Sequence, residues 1–158
     1  MAFLSKLPVI RDFFTFGLNS PMKRFIFNPG NYAATASLGL LLLRIVTGAA
    51  MISHGYLKLL KLMAGPPYTF ADPVGLGVGV SLFLAVFSEF FCSILLMIGL
   101  GTRLAMVPLI ITMLVIIFVS NAGEPFGEIE LAIMYLVIYV AFALTGAGRF
   151  SADALIRK

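Results

Sequence analysis

Residues 38–63 read LGLLLLRIVTGAAMISHGYLKLLKLM, yet Arg44, His54 and Lys58 sit inside this run and Lys61 lies near its end. About 20 predominantly apolar residues cross a bilayer, so the run is long enough to span one. A charged side chain in hydrocarbon costs about 2.5 kcal/mol or more on insertion scales. Each of these groups therefore needs protein, water or a function around it. At about 100° per residue, Arg44 and Lys58 return to within roughly 40° of each other. His54 and Lys58 are an i, i+4 pair and share that side. The segment is an apolar cylinder with one polar stripe, and the stripe must face the rest of the chain.

The remaining residues supply such a surround. Of 158 residues, 61% are hydrophobic and 11% charged, where a soluble domain is about a quarter charged. Mean hydropathy is +1.07. These values place the chain among integral membrane proteins and leave no length for a separate soluble catalytic domain. Turn signals at Asn28-Pro29-Gly30, Ala64-Gly65-Pro66-Pro67, Gly99 to Arg103 and Ser120 to Gly127 divide it. Spans are predicted at 36–63, 75–99, 104–120 and 128–145. The expected fold is all-α, a four-helix transmembrane bundle over 34–158. Within 1–33, Phe3, Leu7, Ile10, Phe14 and Leu18 recur at helical spacing with Lys6, Arg11 and Asp12 among them. That pattern predicts an amphipathic helix lying in the membrane interface. Charge interrupts it and no small-x-small site follows, which argues against a cleavable signal peptide.

The net charge of +4 is scattered over segment ends, as topology determinants are, and does not indicate nucleic-acid binding. Lys6, Arg11, Lys23, Arg24, Arg103, Arg149, Arg157 and Lys158 fall on one side of the predicted bundle, and Lys58 and Lys61 on the other. The positive-inside rule then puts both termini in the cytoplasm. Cys92 is the single cysteine, so no internal disulfide and no redox pair of cysteines exists. A single histidine is too few for bis-histidine haem or an oxidase metal centre, so no metal site is expected.

The topology brings polar groups to shared depths. Glu89, near the middle of the second span, comes within reach of Arg44 on one side or His54 on the other. Arg44 with Glu89 reads as a buried ion pair fixing helix register, or as a proton or ligand site. His54 reads as a hydrogen-bonded interface residue, or as a partner for a quinol hydroxyl. Lys58 and Lys61 suit snorkelling to headgroups. Glu124 and Glu128 suit solvated or helix-capping roles, while Glu130 lies deeper and faces the level of Lys58. Tyr135 and Tyr139 are an i, i+4 pair that either packs or lines a ring-binding slot.

Several blocks together resemble the DoxX family. LLLRIVTGAAMISHGYLKL, with Arg44, Gly48, His54-Gly55 and Lys58, is similar to its first helix. Glu89 within the second helix, LLMIGLGTRLAM at the inner turn, Glu130-Leu131-Ala132 and the closing GAGRFSADALI follow in order. The resemblance covers about 36–156 and leaves the N-terminal segment out. Ser120-Asn121 stands where some members carry a polar or histidine residue at the end of the third helix. The resemblance implies a four-helix membrane protein associated with quinone or quinol chemistry. Its relatives include a subunit of a thiosulfate:quinone oxidoreductase, members linked to oxidative-stress defence, and the membrane part of vitamin K-dependent carboxylase.

Residues and resemblance together give a quinone-associated redox subunit without haem or metal of its own, in a bacterial-type inner membrane. The expected lipid-quinone site lies among the first, second and fourth helices. His54 bonds a quinone oxygen and Glu89 accepts a proton there. Arg44, Lys58, Glu130 and Tyr135 complete the binding set. Membrane lipid, a protein partner in a redox complex and a second copy of the chain are the expected partners. Two other classes stay open: a non-enzymatic scaffold recruiting a soluble redox or stress-defence enzyme, and a small transporter or lipid-binding protein.

Overall fold

The computed structural model describes residues 26–30 and 32–156. The predicted interfacial helix and the basic residues Lys6, Arg11, Lys23, Arg24, Arg157 and Lys158 lie outside the described residues. Four helices are long and apolar enough to cross a membrane: α1 (Ala34–Met63), α2 (Val78–Ile98), α3 (Thr102–Ser120) and α4 (Phe126–Thr145). A short α5 (Ala152–Ile156) closes the chain. Among the described residues there is no strand, so the predicted all-α four-helix fold is the observed one.

Neighbours in sequence are neighbours in space. α1 packs most extensively along α2, α3 packs next most extensively on α4, α2 and α3 pack together less, and α1 and α4 touch far less. A seam therefore runs between the first and last spans. The buried face of α1 is Ser37, Arg44, Thr47, Gly48, Met51 and Gly55. Their steps of three, four and seven follow the 3.6-residue period, and Lys58 continues the line. Arg44 and Lys58 of the predicted polar stripe face protein, whereas His54 is exposed, because one residue step of about 100° from buried Gly55 carries it off that face. Leucine, isoleucine and valine on the other faces remain outward, as in a bundle whose surroundings are lipid.

Two features of the spans differ from expectation. α2 begins at Val78 instead of residue 75 because Asp72 organises the chain before it. Its carboxylate accepts from the backbone N–H of Leu76 (3.1 Å) and Gly77 (2.8 Å) and from the Ser81 hydroxyl (2.6 Å). Gly75 and Gly77 adopt φ of +71° and +96°, which halts the helix one turn later than the apolar run suggests. In addition, α2 carries a π-helical turn at Phe87–Cys92, and α3 ends in one at Ile116–Ser120. A π-turn inserts one residue without altering the composition of the run, so periodicity gives no warning of it.

The end of the bundle holding the α2–α3 turn and the C-terminal tail is tied shut. The Arg44 guanidinium donates to the carbonyls of Ala147 and Phe150, both at 2.7 Å. Asp153 accepts from the N–H of Gly101 (2.6 Å) and Thr102 (3.1 Å), capping the first turn of α3. The Tyr32 hydroxyl reaches the Thr145 carbonyl, and Gly148 N–H bonds Pro29 O. Gly99 closes α2 in a left-handed conformation, with φ +72°, against Arg44 and Ser151. A side chain there would meet both strain and the guanidinium.

Candidate functional site

At the opposite end, Lys58 of α1 forms an ion pair with Glu89 of α2. Glu89 sits in the π-turn, which packs against α1. Gly55 makes the approach feasible. A Cβ on it would lie 2.7 Å from the Glu89 carbonyl carbon and the Phe90 nitrogen, closer than any real Cβ contact. The Glu89 side chain is 2% exposed and that of Lys58 26%, so the acid is locked in while the amine reaches the edge. The Lys58 ammonium also lies over the Phe70 ring, 5.7 Å from its centre, a cation–π arrangement supplied by the α1–α2 loop. Lys58 engages Glu89 Oε1, whereas Oε2 is buried and has no hydrogen-bond partner among the described residues.

Two cavities meet at this pair. The first, about 170 Å³, opens in the seam between α1 and α4. His54, Lys58, Glu89, Glu128 and Tyr135 supply its polar lining, and Met51 and Met113 are among its apolar walls. The second, about 150 Å³, lies between α2 and α3 under the α1–α2 loop, with Phe70, Ser81 and Thr112 beside the same Lys58 and Glu89. The Thr112 and Ser88 hydroxyls are 2.8 Å apart behind it. A larger groove of about 640 Å³ runs along the tail past Pro29, Phe150 and Leu155. None of the buried charged side chains lines it, so its size does not make it the site.

The structure thus brings together four of the predicted site residues: His54, Lys58, Glu89 and Tyr135. It separates the other two. Arg44 is on the predicted stripe, but 14 residues of helix put it roughly 21 Å from Lys58 along the axis. The depth register explains the error. Gly55 abuts Glu89, Gly48 abuts Ser93, and Arg44 abuts Gly99. Glu89 therefore meets Lys58, and Arg44 belongs to the tail. Glu130 is exposed and outside both cavities, and Glu128 takes the place expected of it. The reason is angular: Glu128, Ala132, Tyr135, Tyr139 and Phe142 advance by four, three, four and three along one face of α4, and Glu130 is about 200° from Glu128. All but Glu128 on that line are buried. That stripe was legible in the sequence; the role of Phe70, on a loop, had no periodic signal.

Tyr135 and Tyr139 stack with ring centres 5.8 Å apart and planes 25° from parallel. The stacking is that of a packing pair; Tyr135 also lines the first cavity, while Tyr139 is fully buried in the core. A flat aromatic face, an imidazole, two carboxyl groups and an ammonium surround one small space. Such a set can hold a ring by its face and exchange hydrogen bonds or a proton at its edge.

A family model described as DoxX matches residues 39–122, a little over half of the chain. The match takes in Arg44, His54, Lys58 and Glu89 and stops before Glu128 and Tyr135. No curated protein and no solved structure matches.

Proposed function

The chain belongs to the DoxX family, and from that premise we propose that it is a quinone-associated membrane redox subunit holding a quinone ring between α1 and α4. The observation that carries the reading is Glu89 Oε2. A buried carboxylate oxygen with no partner among the described residues lies beside a cavity, His54 and Tyr135. Native proteins rarely leave such an atom without a role, and intramembrane carboxyl groups commonly move protons.

The cavity of about 170 Å³ is smaller than the ~300–1,000 Å³ of drug-sized pockets, and it suits a single ring. An isoprenoid tail would leave through the α1–α4 seam into lipid. His54 at the rim bonds one ring oxygen. Glu89 Oε2 accepts a hydrogen bond, and then the proton, from a ring hydroxyl while Lys58 occupies Oε1 and keeps the carboxylate oriented. Tyr135 offers a ring face, and Glu128 stands at the mouth. A bound quinone supplies two-electron chemistry; the polypeptide supplies binding, orientation and proton handling. A protein partner would complete the electron path.

The test is organic extraction and mass spectrometry of the protein purified in mild detergent. Wild type is expected to carry a quinone, and His54→Ala to lose it at unchanged melting temperature. Phospholipid alone in the wild-type extract would favour the scaffold that recruits a soluble redox or stress-defence enzyme. The second cavity, on the far side of the same ion pair, favours transport as the other reading. Solute flux across liposomes, lost in Glu89→Gln, would establish that instead.

A further inference from the structure

Resting on the quinone reading of the first cavity, we infer that the site selects the reduced, hydroxyl-bearing ring over the oxidised one, and that Glu89 Oε2 is the selecting atom. An ionised carboxylate accepts hydrogen bonds and cannot donate them. Oε1 is taken by Lys58, and Oε2 has no donor among the described residues. Glu128, at the same cavity, adds a second acidic group. The Lys58 donors are directed at Glu89 and the Phe70 ring. The most deeply buried polar atom of the cavity therefore calls for a donor from whatever enters.

A hydroquinone brings an O–H to that oxygen. A benzoquinone of the same shape brings only carbonyl lone pairs. It either faces the carboxylate acceptor to acceptor or displaces a water from it without replacing the bond. Sites built around a buried hydrogen-bonding group discriminate strongly against ligands that leave it unpaired, so a preference of about tenfold or more is expected. A glutamine at 89 carries both a donor and an acceptor and can turn either to the ring. The preference should then vanish.

The experiment is anaerobic binding to the full chain in lipid nanodiscs, with three probes: trimethylhydroquinone, trimethylbenzoquinone and the dimethyl ether of the hydroquinone. The expected result is tightest binding by the hydroquinone, weaker binding by the other two, and near-equal affinities in Glu89→Gln. Equal wild-type affinity for hydroquinone and ether, or tighter binding of the quinone, overturns the selection while leaving the ring site standing. A preference that survives in Glu89→Gln also overturns it. Failure of all three probes to bind removes the ring site and the selection with it. If Glu89→Gln does not fold, the wild-type comparison of hydroquinone with ether decides alone.

Discussion

Each end of the bundle buries charge, and the two do so differently. At the tail end, Arg44 gives its terminal nitrogens to two backbone carbonyls, and Asp153 takes two backbone N–H groups at the start of α3. These bonds tie three separate stretches of chain together, α1, the start of α3 and the tail, and neither side chain lines any of the three cavities. At the loop end, Lys58 and Glu89 share one contact, an oxygen is left over, and a cavity opens on either side. Arg44 Nε is likewise buried without a partner among the described residues, but Arg44 lines none of the three cavities, and its terminal nitrogens, bonded to backbone, hold the fold. Charge with bonding capacity to spare, beside an opening, is available to a ligand. A count of buried ionisable residues would have treated the two alike.

The sharpest way to break this distinction is at Arg44. Arg44→Met removes the donor to Ala147 and Phe150 and leaves Asp153 without its cationic neighbour. Removing one member of a buried charged network costs about 3–5 kcal/mol. Chemical unfolding in detergent should show a loss of that order, with ring binding in surviving folded protein unchanged. Lost binding at retained stability would mean that the two ends are not separate.

A smaller effect is expected at Gly55. Gly55→Ala places a methyl group 2.7 Å from backbone atoms of Glu89 and Phe90, so the π-turn must shift. Overpacking of this kind costs about 1–3 kcal/mol. Ring binding should fall although no polar group has been removed. Unchanged binding would show that the π-turn does not set the position of Glu89.

The mildest test uses pH, because the two ends respond with opposite sign. Burial pushes the Asp153 carboxyl above the ordinary value of 3.8, and the Gly101 and Thr102 N–H groups with the charge of Arg44 only partly offset it. The folded tail therefore holds that proton more tightly than the unfolded chain. Its contribution to stability declines as pH rises from about 4 through the raised value. At the loop end the Ser81 hydroxyl, followed by the Gly77, Leu76 and Gly75 N–H groups, holds Asp72 below 3.8. That contribution is present above 3.8 and is lost as pH falls through the depressed value. Carbon-detected NMR titration of labelled aspartates should place the Asp153 midpoint above 3.8 and that of Asp72 below it. Midpoints on the same side would remove this part of the contrast.

The stripe on α1 was legible because helical periodicity is a one-dimensional property: Arg44, Gly48, Met51, Gly55 and Lys58 lie on it in any helix. The same arithmetic, applied to α4, selects Glu128 over Glu130. Partner choice is another matter. Whether Glu89 meets Arg44 or Lys58 depends on how far α2 slides along α1. The start of α2, set by Asp72, and the π-turn at Phe87–Cys92 both change that register. Neither alters the apolar pattern from which spans are read.

The sequence by itself determined the class, the four spans and the polar face of the first. Apolar length and 3.6-residue spacing are local quantities, and lipid permits few alternatives to a helix that satisfies its own backbone. Only the tertiary structure decided that Arg44 anchors the tail, that Lys58 pairs with Glu89 and that an unused carboxylate oxygen stands between two cavities. Those outcomes depend on relative depth, on one inserted residue in a π-turn and on a backbone contact that glycine alone allows. All three arise from packing one helix against another, and no single segment contains them.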